Sequence, residues 1–188
     1  MKKQITIAAL FSLFSGIASA HPGHGLDSAY AGFMHPLTGW DHLLVMLAIG
    51  VWAAKLCGKA RWQLPLTFVA IMAMGAVLGL SDLGFAHVET AIAASVMAMG
   101  VLLIMRLPMS KMMQLSITAM FALLHGMAHG AELQLQSSSA AIVGMLVATA
   151  MLHSLGFLMA SQRVKLALWF NNSFACLLLF VGGYLLLG

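Results

Sequence analysis

Apolar positions along this chain run in long blocks, without the period-2 alternation or narrow helical stripe of a half-exposed element. Six blocks, 37–54, 63–81, 86–105, 112–130, 138–160 and 166–187, each approach the roughly 20 apolar residues that carry a helix across a bilayer. Short polar connections separate them, and none is long enough for a soluble domain. A shorter apolar run over 5–17 follows Lys2 and Lys3 and ends at Ala18-Ser19-Ala20. A charged start, a short apolar centre and a small-x-small end are the marks of a secretory signal peptide cut after Ala20. The pattern therefore predicts an all-α integral membrane protein. Residues 1–20 are a signal peptide, and 21–188 form a single bundle of six transmembrane helices.

Composition narrows the class further. Of 188 residues, 62% are hydrophobic and only 7% are Asp, Glu, Lys or Arg, against about 25% in a soluble domain. Too little charge is present to cover a soluble surface, and disorder requires the opposite balance. Nine Lys and Arg, spread along the chain, make no basic stripe, so nucleic acid is not a partner. The lipid bilayer is.

The charges are sorted by connection. Lys55, Lys59 and Arg61 lie between the first two blocks, Arg106 and Lys111 between the third and fourth, and Arg163 and Lys165 between the last two. All seven fall on one side, which the positive-inside rule assigns to the cytoplasm. The mature N-terminus and the C-terminus then both lie outside, as a translocating signal peptide also requires. Asp27, Asp41, Asp82, Glu89 and Glu132 fall at or near that outer side. Gly75 and Gly79 form a small-xxx-small pair suited to close helix packing. Cys57 and Cys176 are too far apart along the membrane normal to bridge. The Trp residues suit an interfacial belt, and most of the 16 Met residues suit core packing.

Eight His in so uncharged a chain are the candidate chemistry, because ionisable groups inside a membrane are costly and usually functional. His35-Pro36-Leu37-Thr38-Gly39-Trp40-Asp41-His42 places two imidazoles on one helical face, with Pro36 suited to a first turn. Asp41 stands beside them as a ligand or as an orienting group. His125, His129 and Glu132 share a face of the fourth block, and two His one turn apart can hold one ion. Gly126 occupies the position of the Glu in H-E-x-x-H, which argues against a zinc protease. His87 and Glu89 open the third block, and His153 lies deep in the fifth. His21, His24 and Asp27 lie on the outer tail, where a terminal amine and two imidazoles could gather a metal ion. Imidazole with carboxylate suits Ni, Co, Zn, Cu or Fe and suits Mg or Ca poorly.

His35-Pro36-x-x-Gly39-x-Asp41-His42-Leu43-Leu44, His125-Gly-x-Ala-His129-Gly-x-Glu132, Val88-Glu89 and the mature end His-Pro-Gly-His-Gly together resemble the HupE/UreJ family over essentially the whole mature chain. Five residues separate His35 from Asp41, where the related nickel/cobalt transporter family has four. The resemblance implies a nickel permease of the bacterial inner membrane, with cobalt as the alternative cargo, serving hydrogenase or urease maturation. It points to His35, Asp41, His42, Glu89, His129 and Glu132 as the metal-handling set. The placing of the remaining His residues adds secondary ligands to that reading: His21 and His24 to gather the ion outside, and His125 and His153 along a path inward.

The sequence carries no G-x-x-x-x-G-K-[ST] loop, which indicates a secondary permease rather than an ATPase. Its His clusters are sparse and face outward, unlike the tight His boxes of a membrane di-metal oxygenase, so no enzyme is expected. No resident cofactor is expected, only transported Ni(II) or Co(II). A periplasmic or cytoplasmic metallochaperone is a candidate partner. The rival reading is a membrane-embedded metal- or haem-binding protein, such as a metal-dependent oxidoreductase, that does not transport. Six spans would also permit an inverted repeat of three and three helices.

Overall fold

The structure is a computed structural model, and it describes residues 28–80, 87–133, 139–161 and 164–187. Every regular element among them is an α-helix: α1 Ala29–Thr38, α2 Trp40–Ala54, α3 Ala60–Gly79, α4 Val88–Met105, α5 Lys111–Leu133, α6 Ser139–Ala160 and α7 Val164–Leu187. Among the described residues, four stretches are long and apolar enough to cross a membrane: α3, α4, α6 and Leu168–Leu187 of α7. The pair α1–α2 meets the same criterion when taken together. At 23 residues α5 is long enough too, but its polar residues lower its hydropathy, and several of them, Thr118, His125 and His129, face the interior. The signal peptide and the tail residues His21, His24 and Asp27 lie outside the described residues.

The first predicted span differs from expectation. Instead of one helix starting after Pro36, two helices meet at Gly39 with an 86° bend. The Ser28 hydroxyl caps the earlier helix by accepting from the Ala31 N–H. Pro36 therefore sits near the end of α1 rather than at a start. Its missing N–H weakens the last turn, and the Thr38 hydroxyl donates to the His35 carbonyl. Gly39 then adopts extended backbone, and its carbonyl accepts from Leu43 N–H to begin α2.

Close backbone approach organises the remainder. Gly75 and Gly79 of α3 lie against the Leu123 and Met127 carbonyls of α5. Reciprocally, Gly126 and Gly130 of α5 lie against the Met72 and Ala76 carbonyls of α3. A Cβ at any of the four would overlap that backbone, so the predicted small-xxx-small pair has a matching pair on its neighbour. Gly50 and Gly156 bring α2 and α6 together in the same way.

The most extensive contacts pair α3 with α5, α4 with α7, and α6 with both α1 and α2. Exchanging α1–α2 with α5, α3 with α6, and α4 with α7 leaves that pairing unchanged. This is the exchange symmetry that a repeat of two halves requires.

The basic connections gather at one end. Lys55 Nζ donates to the Leu103 carbonyl near the end of α4, and Arg106 donates to Asn172 Oδ1 on α7. Burial lowers the Lys55 pKa to about 8, and the positive charge of Arg106 adds to the effect. Arg61, at the start of α3, stands over the Phe157 ring near the end of α6. Glu89 and Glu132 occupy the opposite helix ends.

Candidate metal centre

The bend at Gly39 does what a straight helix could not. It lets His35, in the last turn of α1, and His42, in the first turn of α2, approach one point from different directions. Their ring centroids are 5.8 Å apart. From α5, His129 reaches the same point, 4.9 Å from the His35 ring and 4.3 Å from the His42 ring. The glycines of α5 aim it there. With Gly126 and Gly130 pressed on α3, the preceding residues His125 and His129 turn about 100° away into the bundle.

Glu132 completes the group. Its Oε2 is 2.7 Å from His35 Nε2 and 3.8 Å from His129 Nδ1. One donor atom each from His35, His42, His129 and Glu132 all lie within 4.8 Å of one another. An ion held at about 2.1 Å from its ligands spaces them roughly 3–4 Å apart, so side-chain adjustment alone closes this set around one cation. His129 is fully buried, and neither of its ring nitrogens has a hydrogen-bond partner. A buried polar atom without a partner is costly, and a bound ion removes that cost.

Asp41 acts on His42 rather than joining the four. Its Oδ1 accepts from the His42 backbone N–H at 2.8 Å and lies 3.0 Å from His42 Nδ1. A carboxylate on one imidazole nitrogen fixes the ring and frees the other nitrogen for an ion. Asp41→Ala is expected to weaken binding of a divalent transition-metal ion by about 10- to 100-fold without emptying the site, as removal of an orienting partner does; calorimetric titration of the purified protein checks this.

The remaining predicted residues separate by place. Glu89 is exposed in the first turn of α4 and does not belong to the four-residue group. His87 precedes it as an exposed N-cap without a capping side chain. His125 lies one ring deeper, 5.3 Å from His42, and His153 lies deeper still in α6. Sequence reasoning missed Phe68, which packs against both His125 and His153. An apolar residue in an apolar block carries no signal that would have found it.

A family model described as HupE / UreJ protein matches residues 8–186. Protein HupE of Rhizobium leguminosarum bv. viciae is 42% identical over 159 residues, covering 84% of this chain and 82% of that protein. No solved structure matches.

Proposed function

Because this chain belongs to the HupE/UreJ family, we propose that it is a secondary permease importing nickel, with cobalt as the alternative cargo, across the bacterial inner membrane. Its product would supply hydrogenase or urease maturation, with a soluble metallochaperone as the hand-over partner. The observation that carries this reading is the convergence of three imidazoles and one carboxylate within 4.8 Å. That donor set suits borderline divalent ions. The Glu132 carboxylate offsets part of the cation's charge, which lowers the cost of holding it at membrane depth.

In this reading α1–α2 and α5 join α3, α4, α6 and α7 as six spans, both termini face outward, and the signal peptide is removed. The cluster then opens to the outside, opposite the basic connections, and receives the ion there, with His21, His24 and Glu89 gathering it. An inside-negative potential favours inward movement of a divalent cation by about 4–5 kcal/mol per 100 mV. A haem carrier fits poorly. An iron about 2 Å from each of two axial nitrogens sets the ring centroids roughly 6 Å apart, whereas those of His42 and His129 are 4.3 Å apart.

Cells expressing the gene are expected to accumulate radioactive nickel, in preference to zinc, several-fold above cells lacking it. Equal accumulation in the two strains would contradict the proposal.

A further inference from the structure

Between the cargo cluster and the basic end stand two imidazoles that the cluster does not use. His125 is fully buried on α5, and its Nδ1–H donates to the Phe121 carbonyl at 2.8 Å. His153 is 2% exposed on α6, and its Nδ1–H donates across to the Met46 carbonyl of α2 at 2.7 Å. A carbonyl only accepts, so each neutral ring keeps its proton on Nδ1 and presents the Nε2 lone pair. Both Nε2 atoms are buried without a hydrogen-bond partner. These are two imidazoles held in the ligating tautomer, with nothing bound to the ligating atom.

The two rings make no direct contact among the described residues. Both pack on Phe68 of α3, with centroids 5.9 Å away for His125 and 5.0 Å for His153. Phe68 is completely buried. On its outer side the chain of rings continues through His42, 5.3 Å from His125, into the cluster. On its inner side His153 lines a half-open, mostly apolar groove of about 470 Å³ between α3 and α6, which Arg61, Trp62 and Phe157 also line. Unfilled donors thus extend from the cluster to a groove near the basic end, interrupted by one aromatic ring.

We propose that His125 and His153 are an inner pair of transit ligands for a borderline divalent cation, and that the Phe68 ring is the gate between them. The proposal rests on the permease reading and adds the route and its filter. The inner pair offers nitrogen and no carboxylate. Mg, Ca and Mn prefer oxygen shells and would not shed water for it, whereas Ni and Co accept imidazole. An ion bound there has no compensating negative charge, so it stays briefly, as permeation requires. The Arg61 charge beside the groove further disfavours a long stay.

The test uses the full chain reconstituted into liposomes that enclose a metal-sensitive dye, with nickel binding measured on the same preparations in detergent. His153→Ala, and His153→Gln, which keeps a donor for the Met46 carbonyl, are expected to bind nickel within about threefold of the parent while influx falls by about tenfold or more. Phe68→Ala removes the ring that forces an ion to give up water to the imidazoles, so it is expected to bind nickel normally and, unlike the parent, to admit hydrated Mn(II). His153 variants with normal binding and normal influx would overturn the relay. So would Phe68→Ala protein that still excludes Mn(II), and that arm decides alone if both His153 variants lose binding. Parent protein that binds nickel but gives no influx would instead overturn the permease reading, and the relay with it.

Discussion

Glu132→Ala is expected to abolish nickel accumulation, although the protein still reaches the membrane. Glu132 is the only carboxylate in the four-residue group, and its Oε2 lies 2.7 Å from His35 and 3.8 Å from His129. Its removal takes away one ligand and the negative charge that makes a cation tolerable at that depth. It also leaves three close imidazoles around an uncompensated ion. Loss of an orienting partner alone costs about 10- to 100-fold in affinity, so loss of this ligand should cost roughly 100-fold or more. His129→Ala should be equally severe, because that ring is central to the group and fully buried. Uptake assays at matched membrane abundance, with calorimetry on purified protein, check both.

The second large effect is structural. Gly130→Leu is expected to lower stability by about 3 kcal/mol or more, or to prevent the protein from accumulating at all. A Cβ at Gly130 would overlap the Ala76 carbonyl and crowd Gly79, both of which belong to the backbone of α3. Backbone cannot rotate aside as a side chain can, so α5 would have to move away from α3. That movement would also withdraw His129 and Glu132 from His35 and His42. Gly183→Ala provides the contrast, because a Cβ there meets nothing within 4 Å. Thermal unfolding of the two purified variants in detergent separates them: a large loss of Tm for the first and little change for the second.

Much of this was legible in the sequence because apolar block length is a strong signal. The last five blocks predict α3 through α7 to within a few residues at each end. Gly75 and Gly79 announce close packing because small residues at that spacing have few other uses in a membrane helix. His125, His129 and Glu132 share a face because the helical period alone requires it.

The bend was not legible. Pro36 is compatible both with the first turn of a helix and with a position near its end, and only the Ser28 cap upstream decides between them. Which acid joins the His residues was also hidden. Glu89 and Glu132 both sit at helix ends opposite the basic connections, and it is the packing of α5 against α3, and of α1–α2 against α6, that brings Glu132 to His35. Spacing along one helix says nothing of distances between helices. The same holds for Phe68, whose position between two imidazoles exists only once α3, α5 and α6 have met.

The central claim is that one cation is held by His35, His42, His129 and Glu132. X-ray absorption spectroscopy of the nickel-loaded purified protein tests it most directly. The expected result is one nickel per chain in a shell of nitrogen and oxygen, with scattering from about three imidazoles, and loss of that spectrum in His129→Ala. A sulfur-containing shell, or a spectrum unchanged by His129→Ala, would contradict it.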